Sequence, residues 1–471
     1  MIYHRVLRPP RYDVTDAPQK ATTINLRGDE FNEKGPIEFQ SHAHIAFVGV
    51  WDTVEAYGMP VDELKLAIDR WVWPMSFADR TLSPNVDIAR QALSLDDERP
   101  TFRPVLWNEV PEGRDAFGPE KIQQVWFAGV HANVGGGYPD DGLAYVALDW
   151  MMTEAEKANL RFYKHARQEI RCRVDANGEQ YDSRSGLAGY YRYGPRSVKD
   201  LCDEKEHKVE VPIVRVHNSV FERIEEHQVG YAPVSLNKEF QINNGPARPS
   251  AQLKADTTAL NLAMDVVWWR RLAYFATLAL TIFVGLFALR LAFDWPNSVL
   301  RATEAVLGEG WGAVTSLFGP TITSWVTGLW KWFTGTVGGW MPGWMSTMLA
   351  SLAVYPLTAI VSIGVLALFF FKITEDLHDR IDMLTEWAWA AQKQLPVASA
   401  PPPNWQNTVA RRGRPFTAWL YRGWRLVIVN LLGILIALTV LLLGFPIWVF
   451  RVLRHRPWMA ARDRTICQKL A

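Results

Sequence analysis

The stretch VWFAGVHANVGGGY, residues 125–138, ends a short apolar run at a histidine and follows it with three consecutive glycines. Its apolar residues are nearly continuous rather than alternating, as are those of HIAFVGVWDTV, residues 44–54. Such runs are typical of strands that are buried on both faces of a parallel sheet. We therefore expect one buried parallel strand at residues 44–54 and another at residues 123–131.

Sequence with helical spacing lies between these two runs. VDELKLAIDRW, residues 61–71, and VDIARQALSL, residues 86–95, each place apolar side chains on one face of a helix. These side chains are Leu64, Ala67, Ile68 and Trp71 in the first stretch, and Val86, Ala89 and Leu93 in the second. Alternating strands and helices predict an α/β fold with a parallel sheet.

Each predicted strand ends at a residue that can carry chemistry, Asp52 in the first and His131 in the second. Ligands of open parallel sheets bind at the carboxyl ends of the strands, so the two side chains could meet over one crevice. A carboxylate bonded to one imidazole nitrogen leaves the other nitrogen free to accept a proton from a nucleophile. The alternative is structural, since Asp and His also occur as turn formers and caps. We predict that Asp52 and His131 form a catalytic pair.

The residues after His131 are candidates for substrate binding. Gly135, Gly136 and Gly137 permit positive φ and a close backbone approach, which suits an acyl or phosphate group but equally suits tight packing. Asn133 is a further candidate, with orientation of this loop as its alternative role.

The chain divides into an acidic part and a basic, apolar part. Residues 1–268 contain 31 Lys and Arg against 40 Asp and Glu (net −9), and residues 269–471 contain 19 against 9 (net +10). We place the boundary near residue 260, with an α/β domain at 1–260 and a membrane region at 261–471. Three segments in this second part are long and apolar enough to cross a bilayer, namely residues 270–292, 345–371 and 426–450.

The distribution of basic residues predicts the orientation of these segments. The segment 372–425 is rich in arginine and should be cytoplasmic together with the N-terminal part, whereas the Trp-rich loop 297–344 should lie at the other interface. Three simple crossings would put the basic C-terminal tail outside, so the orientation of the last segment stays open. Pro356 and Pro446 are expected to kink their helices, and residues 395–405 are expected to form a Pro-rich linker.

Several classes of protein are disfavoured. The three cysteines have no short spacing, which argues against a disulfide framework and a Cys-based metal site. His42 and His44 have ligand spacing but lack further ligands, and His217 is expected to be packed. The sequence has neither a phosphate-binding loop nor a dinucleotide fingerprint, and its N-terminal part is acidic. We expect no cofactor, no metal and no nucleic-acid partner.

Four ordered motifs carry a resemblance to a known family. FVGVWDTVEAYGMP, ALSLDDERPTFRPVLW, VWFAGVHANVGGGYPDDGLAYVALDWM and DSRSGLAGYYRYGPR together resemble the uncharacterised α/β-hydrolase domain family that includes the phospholipase effectors of type VI secretion. The resemblance spans most of residues 40–240. It implies Asp52 as the triad acid and His131 as the base. Ala132 and Asn133 stand where the family commonly has Ser-Asp.

The family's nucleophile is a serine in a G-x-S-x-G elbow upstream of the Asp motif, and this sequence contains no G-x-S-x-G. Ser185 is not a substitute, because it follows His131 and lies in a predicted loop. Three explanations remain open: a truncated or mis-started chain, a split enzyme whose companion polypeptide carries the serine, or a fold that has lost catalysis.

The functional expectation follows from these points. The chain should be a membrane-anchored phospholipase-like or lipid-esterase-like protein of the bacterial inner membrane, with its hydrolase-like domain in the cytoplasm, membrane lipid as its partner and no nucleophile of its own. The alternative is a catalytically inactive, membrane-anchored binding or scaffold protein. Arg192 and Arg196 could hold a lipid phosphate, although we favour a solvated loop braced by aromatic residues as their role.

Overall fold

The computed structural model describes residues 44–54, 62–72, 80–110, 118, 120–204, 209–226, 230–237, 239–243, 255–293, 356–390 and 404–469, with scattered positions between 316 and 339. Seven strands lie in these residues: β1 (Ile45–Trp51), β2 (Val86–Ser94), β3 (Ile122–Phe127), β4 (Asp203–Glu204), β5 (Val209–Glu210), β6 (Val214–His217) and β7 (Phe240–Asn243). Five of them form one sheet in the order β1-β2-β3-β6-β7, and every neighbouring pair is parallel. Strands β4 and β5 form a small antiparallel pair.

Ten α-helices are described: α1 (Asp62–Trp71), α2 (His131–Gly135), α3 (Gly142–Lys157), α4 (Lys164–Arg173), α5 (Val198–Cys202), α6 (Asn218–Glu225), α7 (Thr257–Phe293), α8 (Pro356–Ala367), α9 (Thr374–Ala388) and α10 (Trp405–Lys469). A π-helical turn, Leu368–Ile373, joins α8 to α9. Two 3₁₀ turns, Pro100–Phe102 and Gly186–Tyr190, lie between the shorter elements. The parallel sheet flanked by helices confirms the predicted α/β fold.

The predictions for the individual elements have mixed outcomes. The strands β1 and β3 and the helix α1 form where they were expected. The prediction of a helix at residues 86–95 was wrong, because this segment is β2, the strand between β1 and β3. Apolar residues spaced three and four apart fit a helix only when the residues between them face solvent. In β2 the residues from Ala89 to Ser94 are all buried.

Burial of polar side chains in β2 has a specific cause. Arg90 is buried and donates a hydrogen bond of 2.7 Å to the buried carboxylate of Glu154 on α3. The Gln91 side chain donates to the carbonyl of Val105 at 3.0 Å. These partners allow a strand with an amphipathic composition to lie inside the sheet. Strand β1 is only half-buried, and it is one of the two edge strands of the five described.

The core packs on both faces of this sheet. Trp126 belongs to one apolar cluster together with residues of β6 and α6, and its neighbour Phe127 belongs to a second cluster together with Trp150 of α3. Alternate residues of β3 therefore face opposite layers, as the period of a strand requires. Because β1, β2 and β3 are parallel, their carboxyl ends lie at the same end of the sheet.

The long helices α7, α9 and α10 pack against one another. On α7 and α10, Asp265 pairs with Arg411, Trp268 bonds to Thr417, and the ring of Phe275 packs against that of Tyr421. Residue numbers rise together along these contacts, so α7 and α10 run parallel. Helix α9 returns antiparallel to α7, since Arg270 contacts His378 while Leu262 packs near Leu384.

The membrane predictions are supported in part. One helix in the described part of the chain, Trp405–Leu441 within α10, is long and apolar enough to cross a membrane. Residues 270–292 are helical within α7, and residues 356–371 lie in α8 and the π-helical turn. Residues 345–355, the linker segment 391–403 and most of the Trp-rich segment lie outside the described residues. The described positions between 316 and 336 are helical rather than loop. α8 begins at Pro356, and α10 continues through Pro446.

Candidate functional site

The two residues predicted as a pair lie together at the carboxyl edge of the sheet. Asp52 follows β1 and adopts a φ of 39°, which is uncommon for a residue other than glycine. Its backbone N–H still donates to the carbonyl of Ala92 at 2.7 Å, so the chain turns while it remains attached to β2. Strained backbone of this kind is concentrated at functional sites. The turn directs a fully buried carboxylate toward the end of β3.

His131 is the first residue of α2, and its imidazole contacts this carboxylate. Its Nδ1 lies 2.7 Å from Oδ2 of Asp52. An ionised carboxylate can only accept, so the proton of the neutral imidazole lies on Nδ1 and Nε2 is left as an acceptor. The side chain is 29% exposed, and Nε2 has no hydrogen-bond partner among the residues that the structure describes. This arrangement leaves one imidazole nitrogen able to take a proton.

The predicted pair has a third member that the sequence argument assigned elsewhere. Arg196 is buried and donates from Nη1 to Oδ1 and from Nη2 to Oδ2 of Asp52, each at 2.7 Å. The same guanidinium donates to the carbonyls of Ser94 and Phe102, each at 2.6 Å. It is therefore not a solvated loop residue, and its donors are directed at the carboxylate rather than at a ligand.

The carboxylate of Asp52 is saturated with donors. The backbone N–H of Ser94 donates to Oδ1 at 3.0 Å, and the Ser94 hydroxyl donates to Oδ2 at 3.3 Å. Burial alone would raise the pKa of Asp52, but the charge of Arg196 and the hydrogen bonds from His131 and Arg196 outweigh it and hold the pKa at about 2. Asp52 is therefore a fixed negative charge over the whole range in which an imidazole titrates.

The acidic loop after β2 holds the backbone around the imidazole. Asp97 accepts from the backbone N–H of His131 at 3.2 Å, and Asp96 accepts from that of Gly129 at 2.7 Å. Tyr231 also donates to Asp96, at 2.8 Å. Burial raises the pKa of Asp96 to about 6, against the opposing effect of these two hydrogen bonds. The motif LDDER, residues 95–99, thus holds the backbone at His131 in place. The spacing of residues within the motif did not predict this role.

The residues predicted to bind substrate have different environments. Gly136 and Gly137 have φ values of 88° and 115°, and the space beside all three glycines, Gly135 included, is open. Asn133 is buried; its Oδ1 accepts from the N–H of Val130 at 3.2 Å and its Nδ2 donates to the carbonyl of Glu179 at 3.1 Å. The Asn133 side chain therefore braces the turn and the loop beside it, which fits its alternative role.

Other residues singled out in the sequence lie away from the pair. Arg192 contacts the hydroxyl and the ring of Tyr421 on α10. His217 stacks on Phe127 at 4.7 Å between ring centroids, and burial lowers its pKa to about 4, as expected for a packed histidine. His44 is exposed beside Asp87, and His42 lies outside the described residues. Ser185 is exposed at the start of the second 3₁₀ turn.

Comparison with known proteins adds one match. Residues 4–154, about a third of the chain, match the family model described as "T6SS, Phospholipase effector Tle1-like, catalytic domain". The matched residues include both Asp52 and His131 and end within α3. No curated protein and no solved structure matches the chain. The match supports the resemblance to type VI secretion phospholipase effectors over this part of the chain.

Proposed function

We propose that this chain is the membrane-anchored part of a phospholipid esterase, with His131 as general base and Asp52 as the residue that orients it. The observation that carries the proposal is the hydrogen bond of 2.7 Å between Nδ1 of His131 and a buried, ionised Asp52, which leaves Nε2 as the open acceptor. A base of this kind can remove a proton from a serine hydroxyl as the serine attacks an acyl ester.

The reaction has two half-steps in this proposal. The serine oxygen bonds to the ester carbonyl carbon while its proton passes to Nε2 of His131. The tetrahedral intermediate then expels the lysolipid alcohol, which takes that proton from Nε2. In the second half-step water gives a proton to Nε2, attacks the acyl-serine and releases a fatty acid, and the serine recovers its proton.

The surroundings of Asp52 suit the charge that develops. His131 becomes an imidazolium when it takes the proton, and a fixed carboxylate 2.7 Å away stabilises that charge. Arg196 holds the carboxylate in place through one hydrogen bond to each carboxylate oxygen. The proposed role of Arg196 is thus to position Asp52. The open backbone at Gly135–Gly137 is the candidate contact for the substrate's acyl or phosphate group.

The nucleophile is proposed to come from outside the 471 residues, either from upstream sequence or from a companion polypeptide. Within the described residues no hydroxyl or thiol side chain bonds to Nε2 of His131. Ser94 is the serine bonded to the pair, but its hydroxyl is directed at Asp52.

Phospholipid is the proposed substrate for two reasons. The matched family is described by its phospholipase effectors, and α10 presents an apolar, largely exposed surface beyond Arg425.

We propose an α/β domain at 1–260 and a membrane region at 261–471 with about three spans, in which the apolar ends of α7, α8 and α10 enter the bilayer. The parallel course of α7 and α10 and the antiparallel return through α9 would put all three at the same membrane face. The α/β domain is then cytoplasmic at a bacterial inner membrane, according to the arginine distribution.

The second candidate is a membrane-anchored scaffold without catalysis. It is favoured by one observation, namely that Arg196 and Asp52 form a buried, bidentate ion pair that can stabilise a fold without any nucleophile. Under this alternative, His131→Ala leaves the cellular role unchanged, and Asp52→Ala affects it only through the stability of the fold.

The DNA upstream of Met1 distinguishes the two candidates, whereas both predict that the 471-residue chain alone is inactive. The DNA immediately upstream of Met1, or a neighbouring gene, should encode a G-x-S-x-G elbow on a strand–turn–helix pattern if the chain is part of an esterase. The purified 471-residue chain alone should release no fatty acid from phospholipid vesicles. Turnover by this chain that His131→Ala abolishes would mean that the nucleophile lies within it.

A further inference from the structure

Two groups of packed aromatic rings lie between His131 and the long helices, and they are joined through the backbone of the adjacent residues Tyr190 and Tyr191. The ring of Phe102 lies edge-on to the imidazole, with centroids 5.4 Å apart, and the ring of Tyr191 lies 5.9 Å beyond it. The residue that precedes Tyr191, Tyr190, packs against Phe370 of the π-helical turn, with ring centroids 5.2 Å apart. We call Phe102, Tyr190, Tyr191 and Phe370 the aromatic row. The row is half-buried rather than sealed in the core.

The central part of the row is fixed to α7 as well. The hydroxyl of Tyr190 meets that of Thr281 at 3.2 Å, and the hydroxyl of Tyr274 donates to the Tyr190 carbonyl at 3.1 Å. Gly189 has no room for a side chain, since a Cβ there would lie 2.7 Å from the ring of Phe370. The turn Gly186–Tyr190 is therefore built to lie flat against the helices.

The outer end of the row is apolar and open. Leu187 is 87% exposed and Phe371 is 65% exposed. Immediately after Phe371 along the helix, Lys372 pairs with Asp376 and the polar surface of α9 begins. The row therefore ends where apolar helix gives way to polar helix, which is the position of the headgroups in a bilayer.

The cavity on the other side of the acidic loop does not offer an apolar alternative. Its volume is about 480 Å³, and its lining includes the carboxylates of Asp96, Glu98, Asp182 and Asp382 but neither Asp52 nor His131. A hydrocarbon chain gains little by leaving a bilayer for a site lined with carboxylates, whereas it loses little in contact with aromatic rings. The charged group at the inner end of the row is the guanidinium of Arg99, which lies 3.7 Å over one face of the Phe102 ring and is paired with Asp97.

We infer that the aromatic row is an acyl-chain site, along which one chain of a membrane phospholipid lies with its ester carbonyl near His131 and its methyl end toward Leu187 and Phe371. This assignment rests on the proposed phospholipid substrate, but occupancy of the site does not require the nucleophile. The 3₁₀ turn Gly186–Tyr190 then guides the chain from the bilayer to the base, and Phe102 and Tyr191 determine how its first carbons lie.

Photolabelling tests this site directly. The full chain is reconstituted in phosphatidylcholine vesicles that contain phosphatidylcholine with a diazirine on one acyl chain, either near the ester or near the methyl end, and labelled residues are mapped by mass spectrometry. The ester-proximal probe should label Phe102 and Tyr191. The methyl-end probe should label Leu187 and Phe371. Labels confined to α8 and α10, with none at Phe102 or Tyr191 from either probe, would overturn the assignment.

A charge substitution provides the second arm. Leu187→Glu puts a carboxylate at the exposed end of the row and should lower labelling of Phe102 by about fivefold or more, with labelling of α10 unchanged. Tyr163→Glu is the matched control, because Tyr163 is 88% exposed on the α/β part and should have no effect. Equal loss in both variants would contradict a path through Leu187. Labelling reports occupancy rather than turnover, and this chain is expected to be inactive without its nucleophile. Labelled protein that stays inactive when it is expressed with its upstream sequence and neighbouring genes would count against the esterase proposal and not against the acyl-chain site.

Discussion

Arg196 donates one hydrogen bond to each carboxylate oxygen of Asp52, both at 2.7 Å, while Nδ1 of His131 lies 2.7 Å from one of the same oxygens. Arg196 and Asp52 are 144 positions apart in the chain, and both are almost completely buried. The pair therefore joins the segment after β1 to the segment that precedes α5. Asp52 can act on His131 only while this ion pair holds it.

Loss of Arg196 should destabilise the fold strongly. Arg196→Met leaves a buried carboxylate without its main partner, and such losses cost about 3–5 kcal/mol of the free energy of unfolding. Arg173→Met is the control, since Arg173 and Glu169 form an exposed ion pair whose loss should cost much less. Urea unfolding of the detergent-solubilised protein measures both variants. A cost for Arg196→Met as small as that for Arg173→Met would show that the pair is not structural.

Asp52→Asn should reverse the tautomer of His131. In the native protein the Asp52 carboxylate requires a proton on Nδ1, whereas an asparagine amide can donate to Nδ1 and move the proton to Nε2. Imidazole ¹⁵N shifts report the tautomer. His217 is an internal control with the opposite tautomer, because its Nδ1 accepts from the N–H of Ser219. A native His131 protonated on Nε2 would be incompatible with the proposed base.

The pH dependence of stability should have two limbs with opposite causes. The pKa of Asp96 is raised to about 6 in the fold, so the free energy of unfolding falls as pH rises from about 4 through about 6. The pKa of Asp52 is lowered to about 2, so its contribution is present above about 4 and is lost as pH falls toward 2. Asp96→Asn should remove the first limb only. Urea titrations between about pH 2 and pH 8 test this, and an unchanged profile in Asp96→Asn would contradict it.

The glycines after His131 should differ in their tolerance of alanine. Gly136→Ala places a side chain at a φ of 88° and should cost about 1–2 kcal/mol, although the space beside it is open. Gly135→Ala meets neither strain nor a neighbour and should be neutral or slightly stabilising. Thermal unfolding of the two variants measures the difference. Equal costs would mean that positive φ is not the reason for glycine at Gly136.

The sequence predicted the strands β1 and β3, and their ends brought Asp52 and His131 together. It failed at β2, because Arg90 and Gln91 have the polarity of a helix surface and only their partners, Glu154 and the Val105 carbonyl, explain their burial. It also missed the contact of Arg196 with Asp52, since a guanidinium 144 residues from its carboxylate carries no local signal. The aspartates of LDDER were part of a motif, but their roles depend on backbone N–H groups that spacing does not show.

The central claim is that the Asp52–His131 pair hydrolyses phospholipid with a serine supplied from outside this sequence. The most direct measurement is fatty-acid release from phospholipid vesicles by the protein expressed from its own locus, with its upstream sequence and neighbouring genes intact. We expect the wild type to hydrolyse the lipid and His131→Ala to lose activity by about 10³-fold or more. Hydrolysis by His131→Ala at the wild-type rate, or none by either protein, would contradict the account.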